Sequence, residues 1–258
     1  CKYSKMIVID VGNTNIVLGV YLKKKLSKVL RLNTEKNKKK FKFEFKSFLQ
    51  SNKKILFNSK NKTCVLSSVV PSLNIFIKKI FIKKNFKFYI VNPKKIPIDA
   101  KINYNLNQIG SDRVANYIAI HNKKISDCII IDFGTATTFD VIKNNQYFGG
   151  LIFPGLKLSM NSLVSGTELL KKSKISKTKK IIARDTISSI KAGFYFGYLH
   201  AINGTLKQII LENKFKPKIY ITGGFGEIFR DKILFKPIYN KYLTLEGIRV
   251  IGENLQDA

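Results

Sequence analysis

The chain has 258 residues, of which 45% are hydrophobic and 24% charged, a composition typical of globular domains and not of disordered segments. It carries 47 basic and 16 acidic residues, which give a net charge of +31. No apolar stretch is long enough for a membrane span and no signal peptide precedes the first predicted strand. We therefore expect a cytoplasmic protein that does not associate with membranes.

The positive charge allows two interpretations. Nucleic-acid binding is one, because basic side chains neutralise phosphates. Against it, only five of the 47 basic residues are Arg, the residue that reads base edges, and the lysines are scattered along the chain. We favour compositional drift towards Lys, with nucleic acid bound only non-specifically, if at all.

The N-terminal residues bear on where the folded part starts, and the cysteines indicate a reducing compartment. The folded part is expected to start at Met6, which makes residues 1–5 a leader or a cloning remnant, and a lipidated Cys1 is the alternative. Cys64 and Cys128 lie in apolar runs, and the three cysteines include no Cys-x-x-Cys pair. This favours buried thiols over disulfides or a zinc site.

The first half of the chain alternates predicted strands and helices. Residues 6–21 predict two strands joined by a tight turn, and a third strand follows near residues 27–34. Segment 38–51 alternates Phe with Lys and favours a strand, although part of its apolar spacing also suits a helix. A buried strand with a Pro turn, an amphipathic helix, another strand and a helix from Gly110 come next.

The second half repeats the pattern of the first. The segment "IIIDFGTATTFDVI" (Ile129–Ile142) resembles "IVIDVGNTNIVLGVY" (Ile7–Tyr21): an apolar run, Asp, one residue, Gly, a turn with Thr, and an apolar run. Asp10 and Asp132 are thus separated by about half the chain, which predicts a duplicated α/β domain.

The expected domains are residues 6–122 and 123–258, tightly packed with a cleft between them. After the second hairpin the pattern predicts two helical regions, a strand over 217–224 and a last strand near 248–253.

The Asp-Gly hairpins suit phosphate chemistry. A strand that ends in Asp, with Gly two residues later, places backbone N–H groups around a concavity that can hold phosphate. The carboxylate would act through a bound cation. For one hairpin an ordinary β-turn is the simpler interpretation, whereas two copies half a chain apart favour a nucleotide site.

Two further motifs have both a functional and a plain structural interpretation. Thr222-Gly223-Gly224 lets backbone approach a planar ligand, or is only a flexible turn; no P-loop or Gly-x-Gly-x-x-Gly pattern is present. Asp112 is either a helix cap or an acceptor of a substrate proton. Arg113, as one of five Arg, suits a carboxylate ligand.

Five motifs in order resemble type III pantothenate kinase over nearly the whole chain from Met6. They are "DVGNT" (Asp10–Thr14), "GSDR" (Gly110–Arg113), "DFGTATT" (Asp132–Thr138), "GGLIFPG" (Gly149–Gly155) and "TGG" (Thr222–Gly224). The resemblance implies two ribonuclease-H-like α/β lobes of the actin, Hsp70 and sugar kinase superfamily, each a mixed five-stranded sheet flanked by helices. It implies ATP-dependent phosphorylation of pantothenate, the first step of coenzyme A biosynthesis.

The resemblance also implies a homodimer with the active site at the interface, ATP-Mg as donor, and a monovalent cation, potassium or ammonium. Asp112 would be the catalytic base. The implied pantothenate contacts are Tyr104, Gly110, Ser111, Arg113 and, donated from the second subunit, Thr186. The implied ATP and phosphate contacts are Asp10, Val11, Gly12, Asn13, Thr14, Thr135, Thr222, Gly223 and Gly224. Asp10 would hold magnesium and Asp132 the monovalent cation.

One position departs from the family pattern. The family places Tyr-x-x-Pro shortly before Gly-x-Asp-Arg, whereas this chain has Tyr104 without the Pro and with a spacing one residue short. Two other functions stay open on the sequence: a kinase of the same superfamily that acts on another small hydroxy acid, and a basic nucleic-acid-binding or regulatory protein.

Overall fold

The computed structural model describes residues 5–35, 37–59, 62–168, 170 and 174–257, so residues 1–4 of the expected leader lie outside it. The chain divides into two compact units. One contains the chain up to Lys124 together with the C-terminal residues from Leu243, and the other contains Ile125–Tyr242. We expected the second domain to run to residue 258, but the last helix groups with the first unit.

The first unit contains a five-stranded sheet and five helices among the described residues. Its strands are β1 (Lys5–Val11), β2 (Asn15–Leu22), β3 (Lys25–Asn33), β4 (Lys62–Ser68) and β5 (Lys87–Ile90). Its helices are α1 (Lys38–Ser51), α2 (Lys53–Phe57), α3 (Pro71–Ile82), α4 (Ser111–Asn122) and α9 (Leu243–Asp257). The sheet order is β3-β2-β1-β4-β5, with β1–β2–β3 antiparallel and β4 and β5 parallel to β1.

The centre of strand β1, Met6–Ile9, is apolar because both faces of the sheet are covered. Ile7 and Ile9 lie in a core that includes Phe41 and Phe81 of the helices on one face. On the other face, Gly252 of α9 approaches Met6 and Val65 so closely that a Cβ atom there would contact both. Helix α9 therefore belongs to this unit through close packing against its central strands.

The second unit repeats the arrangement. Its strands are β6 (Cys128–Phe133), β7 (Ala136–Lys143), β8 (Gln146–Pro154), β9 (Lys218–Gly223) and β10 (Ile238–Tyr239). Its helices are α5 (Leu156–Ser165), α6 (Thr186–Ala192), a π turn (Gly193–Gly197), α7 (Tyr198–Asn213) and α8 (Gly226–Phe229). The order β10-β9-β6-β7-β8 again places the Asp-bearing strand in the centre, with an antiparallel hairpin on one side and a parallel strand on the other. The predicted pair of mixed five-stranded sheets is confirmed.

Two strand predictions are wrong. Segment 38–51 forms helix α1 because Phe41, Phe45 and Leu49, spaced by four, enter the core, while Phe43 is 76% exposed. The last predicted strand lies inside α9, whose buried Leu245, Ile248 and Gly252 also follow helical spacing. Strands β8 and β10 were not predicted. No helix of the described residues is long and apolar enough to cross a membrane.

Candidate functional site

In the first unit, the turn between β1 and β2 is closed by short backbone hydrogen bonds. Asp10 lies at the end of β1, paired with Val17 of β2 and with Ser67 of β4. The Gly12 amide donates to the Asn15 carbonyl at 2.9 Å. Thr34, just beyond β3, supports both sides of the turn, since its hydroxyl donates to the Gly12 carbonyl (2.7 Å) and its amide to the Thr14 carbonyl (2.8 Å).

The residues of this turn that were predicted to contact phosphate differ in their exposure to solvent. Asn13 is exposed at the tip of the turn, and Gly12 and Thr14 are partly exposed. The Val11 side chain is fully buried in the apolar core, and its carbonyl accepts from the Val69 amide at 3.0 Å. Val11 therefore shapes the turn from within the fold.

In the second unit, Asp132 occupies the matching position at the end of β6. It pairs with Thr138 of β7 and with Thr222 of β9. Gly223 has a φ of +83°, and a Cβ atom there would lie 2.6 Å from Asp132 Oδ1. Only Gly suits this position, because the backbone conformation and the carboxylate together exclude a side chain.

The loop after Asp132 is exposed and packed from one side. Gly134 and Thr135 are exposed, while Gly155 lies so close to the Thr135 carbonyl that a Cβ atom would overlap it. The Thr222 side chain is buried, and open space surrounds Gly224. The structure thus brings Asp132, Thr135 and the Thr222–Gly224 turn to one edge of this sheet.

The "GSDR" segment begins helix α4 of the first unit. Asp112 folds back so that its Oδ1 accepts from the Arg113 amide at 2.8 Å. A Cβ atom on Gly110 would overlap that same oxygen. Gly110 is therefore required for the position of the carboxylate, although its own φ of −66° suits any residue.

Asp112 has an altered acidity. The residue as a whole is partly exposed, but burial of its carboxyl group raises the pKa above the usual range, and the Arg113 amide and guanidinium oppose this shift. A carboxylate with a raised pKa in a partly exposed residue is suited to accept a proton.

Tyr104 and Arg113 lie together despite the unusual spacing in the sequence. The Arg113 guanidinium carbon lies 5.6 Å from the centre of the Tyr104 ring, which corresponds to a cation–π contact. Arg113 is only 5% exposed, so the ring and the surrounding protein hold a buried cation beside Asp112.

Ser111 serves the fold through its hydroxyl. This buried group accepts from Ser67 Oγ (2.9 Å) and the Ser68 amide (3.0 Å), and it donates to the Ser68 carbonyl (3.2 Å). The start of α4 is thus attached to the end of β4. Sequence reasoning missed Ser67, because this contact joins residues far apart in the chain.

Thr186 is the first residue of α6 and lines a pocket of about 870 Å³ in the second unit. The preceding Asp185 caps the helix by accepting from the Ser188 amide at 2.9 Å. The pocket lining combines polar and apolar side chains, among them Arg184, Asp185, Thr186, Ile190, Phe194 and Tyr198. No predicted contact other than Thr186 lines this pocket.

A family model for type III pantothenate kinase matches residues 6–208. The chain belongs to the type III pantothenate kinase family. A type III pantothenate kinase of Geotalea daltonii is 35% identical over 256 residues, which cover 98% of this chain and 100% of the relative. That of Pelagibacter ubique is 43% identical over 203 residues, 76% of this chain and 81% of the relative.

Solved structures share the fold of this type III pantothenate kinase family member. A conserved putative Baf family transcriptional activator from Campylobacter jejuni has a TM-score of 0.61 at 22% identity and covers 98% of this chain and 100% of its own. A ROK family glucokinase from Streptomyces griseus, in complex with glucose and AMPPNP, has a TM-score of 0.56 at 10% identity. The likeness covers 97% of this chain and 99% of the glucokinase. At these identities the likeness concerns the fold alone, and it agrees with the predicted fold of two mixed five-stranded sheets flanked by helices.

The family match covers most of the predicted site. Residues 6–208 include Asp10, Asp112, Asp132 and Thr186, whereas Thr222–Gly224 lie beyond them. The relative from Geotalea daltonii aligns with 98% of the chain and so extends the likeness past residue 208.

Proposed function

We propose that this chain phosphorylates pantothenate to 4'-phosphopantothenate with ATP as donor, the first step of coenzyme A biosynthesis. Family membership over residues 6–208 supports the reaction. The observation that carries the chemistry is Asp112, a partly exposed residue whose carboxyl has a pKa raised by burial and lies next to the buried cation of Arg113.

In the proposed mechanism, Asp112 accepts the proton of the pantothenate hydroxyl as the hydroxyl oxygen attacks the γ-phosphorus, and the bond from the γ-phosphorus to the bridging oxygen breaks to release ADP. Arg113 would hold the pantothenate carboxylate, because a guanidinium offers paired donors to a carboxylate. Tyr104 and Gly110 would complete this contact surface. Ser111 would contribute mainly by fixing the start of α4, since its hydroxyl already bonds to β4.

Within each unit, the Asp-Gly hairpin would supply contacts to the nucleotide, and in the second unit the Thr222–Gly224 turn would add to them. No group of three or more His, Cys, Asp or Glu side chains suited to a metal occurs among the described residues. This fits a magnesium ion that arrives with ATP, since Mg²⁺ at phosphates commonly uses one or two carboxylates. We assign Asp10 to magnesium, and Asp132 with Thr135 to a monovalent cation, potassium or ammonium. Such cations would neutralise phosphate charge during transfer.

We further propose a homodimer in which Thr186 contributes to the active site of the second subunit. The support is local: Thr186 lines the pocket of about 870 Å³, and three isoleucines close to it in the sequence are exposed, Ile181 (62% exposed), Ile182 (81%) and Ile187 (49%). Exposed apolar side chains grouped along one segment are typical of a surface that a protein partner covers.

An assay of ADP release tests the function. With ATP and magnesium, we expect turnover on addition of pantothenate, stronger with potassium or ammonium than with sodium. Another small hydroxy acid as the only accepted substrate would overturn the pantothenate assignment and favour a different kinase of the superfamily. Thr186→Ala should raise the KM for pantothenate, and size-exclusion chromatography with light scattering should give the mass of a dimer.

A further inference from the structure

The Tyr198 hydroxyl joins two strand ends in the second unit. It donates to the Pro154 carbonyl at 2.7 Å and lies 2.6 Å from Thr137 Oγ1. A tyrosine hydroxyl has one hydrogen, which Pro154 uses, so Thr137 must be the donor in the second bond. Thr137 is 1% exposed and Tyr198 7%, and both hydrogen bonds are therefore shielded from water.

These partners lie directly beside the exposed loop after Asp132. Thr137 stands at the start of β7 and Pro154 at the end of β8, where Ala136 pairs with Pro154. The next residues outward are Thr135 and Gly155, which pack backbone against backbone. The Tyr198 hydroxyl thus fixes the two strands from which the Thr135 loop projects.

The same side chain lines the pocket that contains Thr186. In an uninterrupted α-helix, at about 100° per residue, Tyr198 would lie about a third of a turn away from Thr186. A π turn contains about one residue more than a turn of α-helix. The π turn over Gly193–Gly197 therefore rotates Tyr198 back towards the helix face on which Thr186 lies. The π turn therefore has a consequence for the site: it aligns Tyr198 with the pocket.

We propose that Tyr198 is a positioning residue for phosphoryl transfer, which holds the Thr135 loop in register through Thr137 and Pro154 while its ring forms part of the Thr186 pocket. This inference rests on the proposed function, which assigns Thr135 to the phosphates. Tyr198 contacts no reacting atom in this scheme. Its effect reaches the nucleotide through the ends of β7 and β8.

Tyr198→Phe removes the hydroxyl and keeps the ring, and Thr137→Val removes the other partner. For each we expect kcat/KM for ATP to fall about tenfold, while the KM for pantothenate changes less than about twofold. The double variant should be no worse than Tyr198→Phe, because the hydrogen bond that Thr137→Val removes is already absent in Tyr198→Phe. Thr137→Ser, which keeps a hydroxyl, should retain near wild-type kinetics.

The matched control is Tyr195→Phe. Tyr195 is buried on the same helical segment, and its ring packs on Phe229 (5.6 Å between centroids) as that of Tyr198 does (5.9 Å). We expect this control, which leaves the hydrogen bonds of Thr137 and Pro154 to Tyr198 in place, to leave the kinetic constants unchanged. Equal kinetics for the two Phe variants, or additive losses in the double variant, would overturn the proposal.

A second readout separates this inference from the reaction itself. The rise in melting temperature on addition of ATP and magnesium needs no acceptor, and we expect it to shrink in Tyr198→Phe but not in Tyr195→Phe. A wild-type protein that shows this rise without turning over pantothenate would refute the proposed function, and the two variants would still decide the role of Tyr198. An unchanged rise in Tyr198→Phe would refute that role.

Discussion

At the scale of single residues, the region around Asp112 is built to hold one carboxylate. Gly110 leaves room for its oxygen, the Arg113 amide donates to it, and burial raises its pKa. The ionised carboxylate of Asp112 is less stable in this position than it would be in water. An ionisable group with such a shifted pKa in a partly exposed residue is typical of a catalytic base. Two consequences of this arrangement can be measured.

Asp112→Asn should lower kcat by about 10²–10⁴-fold if the carboxylate is the base. It should also raise the melting temperature at pH 7. The pKa of Asp112 is higher in the folded than in the unfolded chain. Ionisation of this carboxyl therefore lowers the free energy of unfolding as the pH rises from the unfolded to the folded pKa, and the full loss of stability is reached above the folded pKa. Thermal denaturation at pH 7 and near pH 4 checks this, since the advantage of Asn should shrink at the lower pH. Wild-type turnover by the variant would refute the assignment.

Gly110→Ala should act through Asp112 with little effect on folding. The backbone of Gly110 accepts Ala, but the new Cβ would displace the carboxylate oxygen. We expect kcat to fall at least about tenfold with a nearly unchanged melting temperature. In the Asp112→Asn background the same substitution should cost nothing more, and a further loss of kcat there would contradict the mechanism.

Asp132→Asn should weaken the dependence of activity on potassium. The carboxylate lies against Gly223 at the sheet edge, and the neutral amide would lose the charge that a cation requires. Titration of potassium at saturating ATP measures the activation constant. Normal activation of the variant by potassium would show that Asp132 does not hold the cation.

At the scale of helices and strands, close backbone contacts decide where the elements lie. Gly247 of α9 approaches the Ala115 carbonyl of α4 so closely that a Cβ atom would overlap it. Helix α4 carries Asp112 and Arg113, so the packing of α9 supports the helix on which the proposed base is located. The start of α4 is held separately by Ser67 and Ser111.

Gly247→Ala should therefore destabilise the protein by about 2 kcal/mol, because the helices must move apart to admit the methyl group. The matched control is Gly204→Ala on α7, an exposed helical position with nothing within 4 Å of the added Cβ, which should gain about 0.5–1 kcal/mol from helix propensity. Urea denaturation followed by circular dichroism measures both. Equal changes in the free energy of unfolding for the two substitutions would show that α9 can shift away from α4 without loss of stability.

The elements that sequence reasoning predicted correctly have a local cause. The central strands around Ile7–Ile9 and Ile129–Ile131 are apolar because both faces are buried, and the Asp-Gly turns are short and repeated. Helix α1 was misread since Phe41, Phe43 and Phe45 alternate in the sequence, although only Phe41 and Phe45 are buried.

The contacts that could not be predicted are long-range. Ser67 is hydrogen-bonded to Ser111, and Tyr198 to Thr137, only in the folded chain. The spacing of residue types in the sequence predicts neither pair. The motifs around Asp10, Asp112 and Asp132 could be found because their neighbours in the sequence are also their neighbours in space.

At the scale of the whole molecule, the net charge of +31 is a property that the proposed reaction does not require. Most of the basic residues are Lys, spread over both units, and few of the ion pairs among the described residues involve Arg. Such a surface attracts any polyanion through counterion release, without base recognition.

We therefore expect duplex DNA to bind at low salt and to lose affinity by about a thousandfold or more between about 50 and about 200 mM KCl. Fluorescence anisotropy with two unrelated duplexes should give the same affinity and the same salt dependence, because lysine contacts to phosphate carry no sequence information. Pantothenate turnover at 200 mM KCl should be unaffected by either duplex. Tight binding of one duplex over the other at 200 mM salt would contradict this view and would favour a regulatory role for the charge.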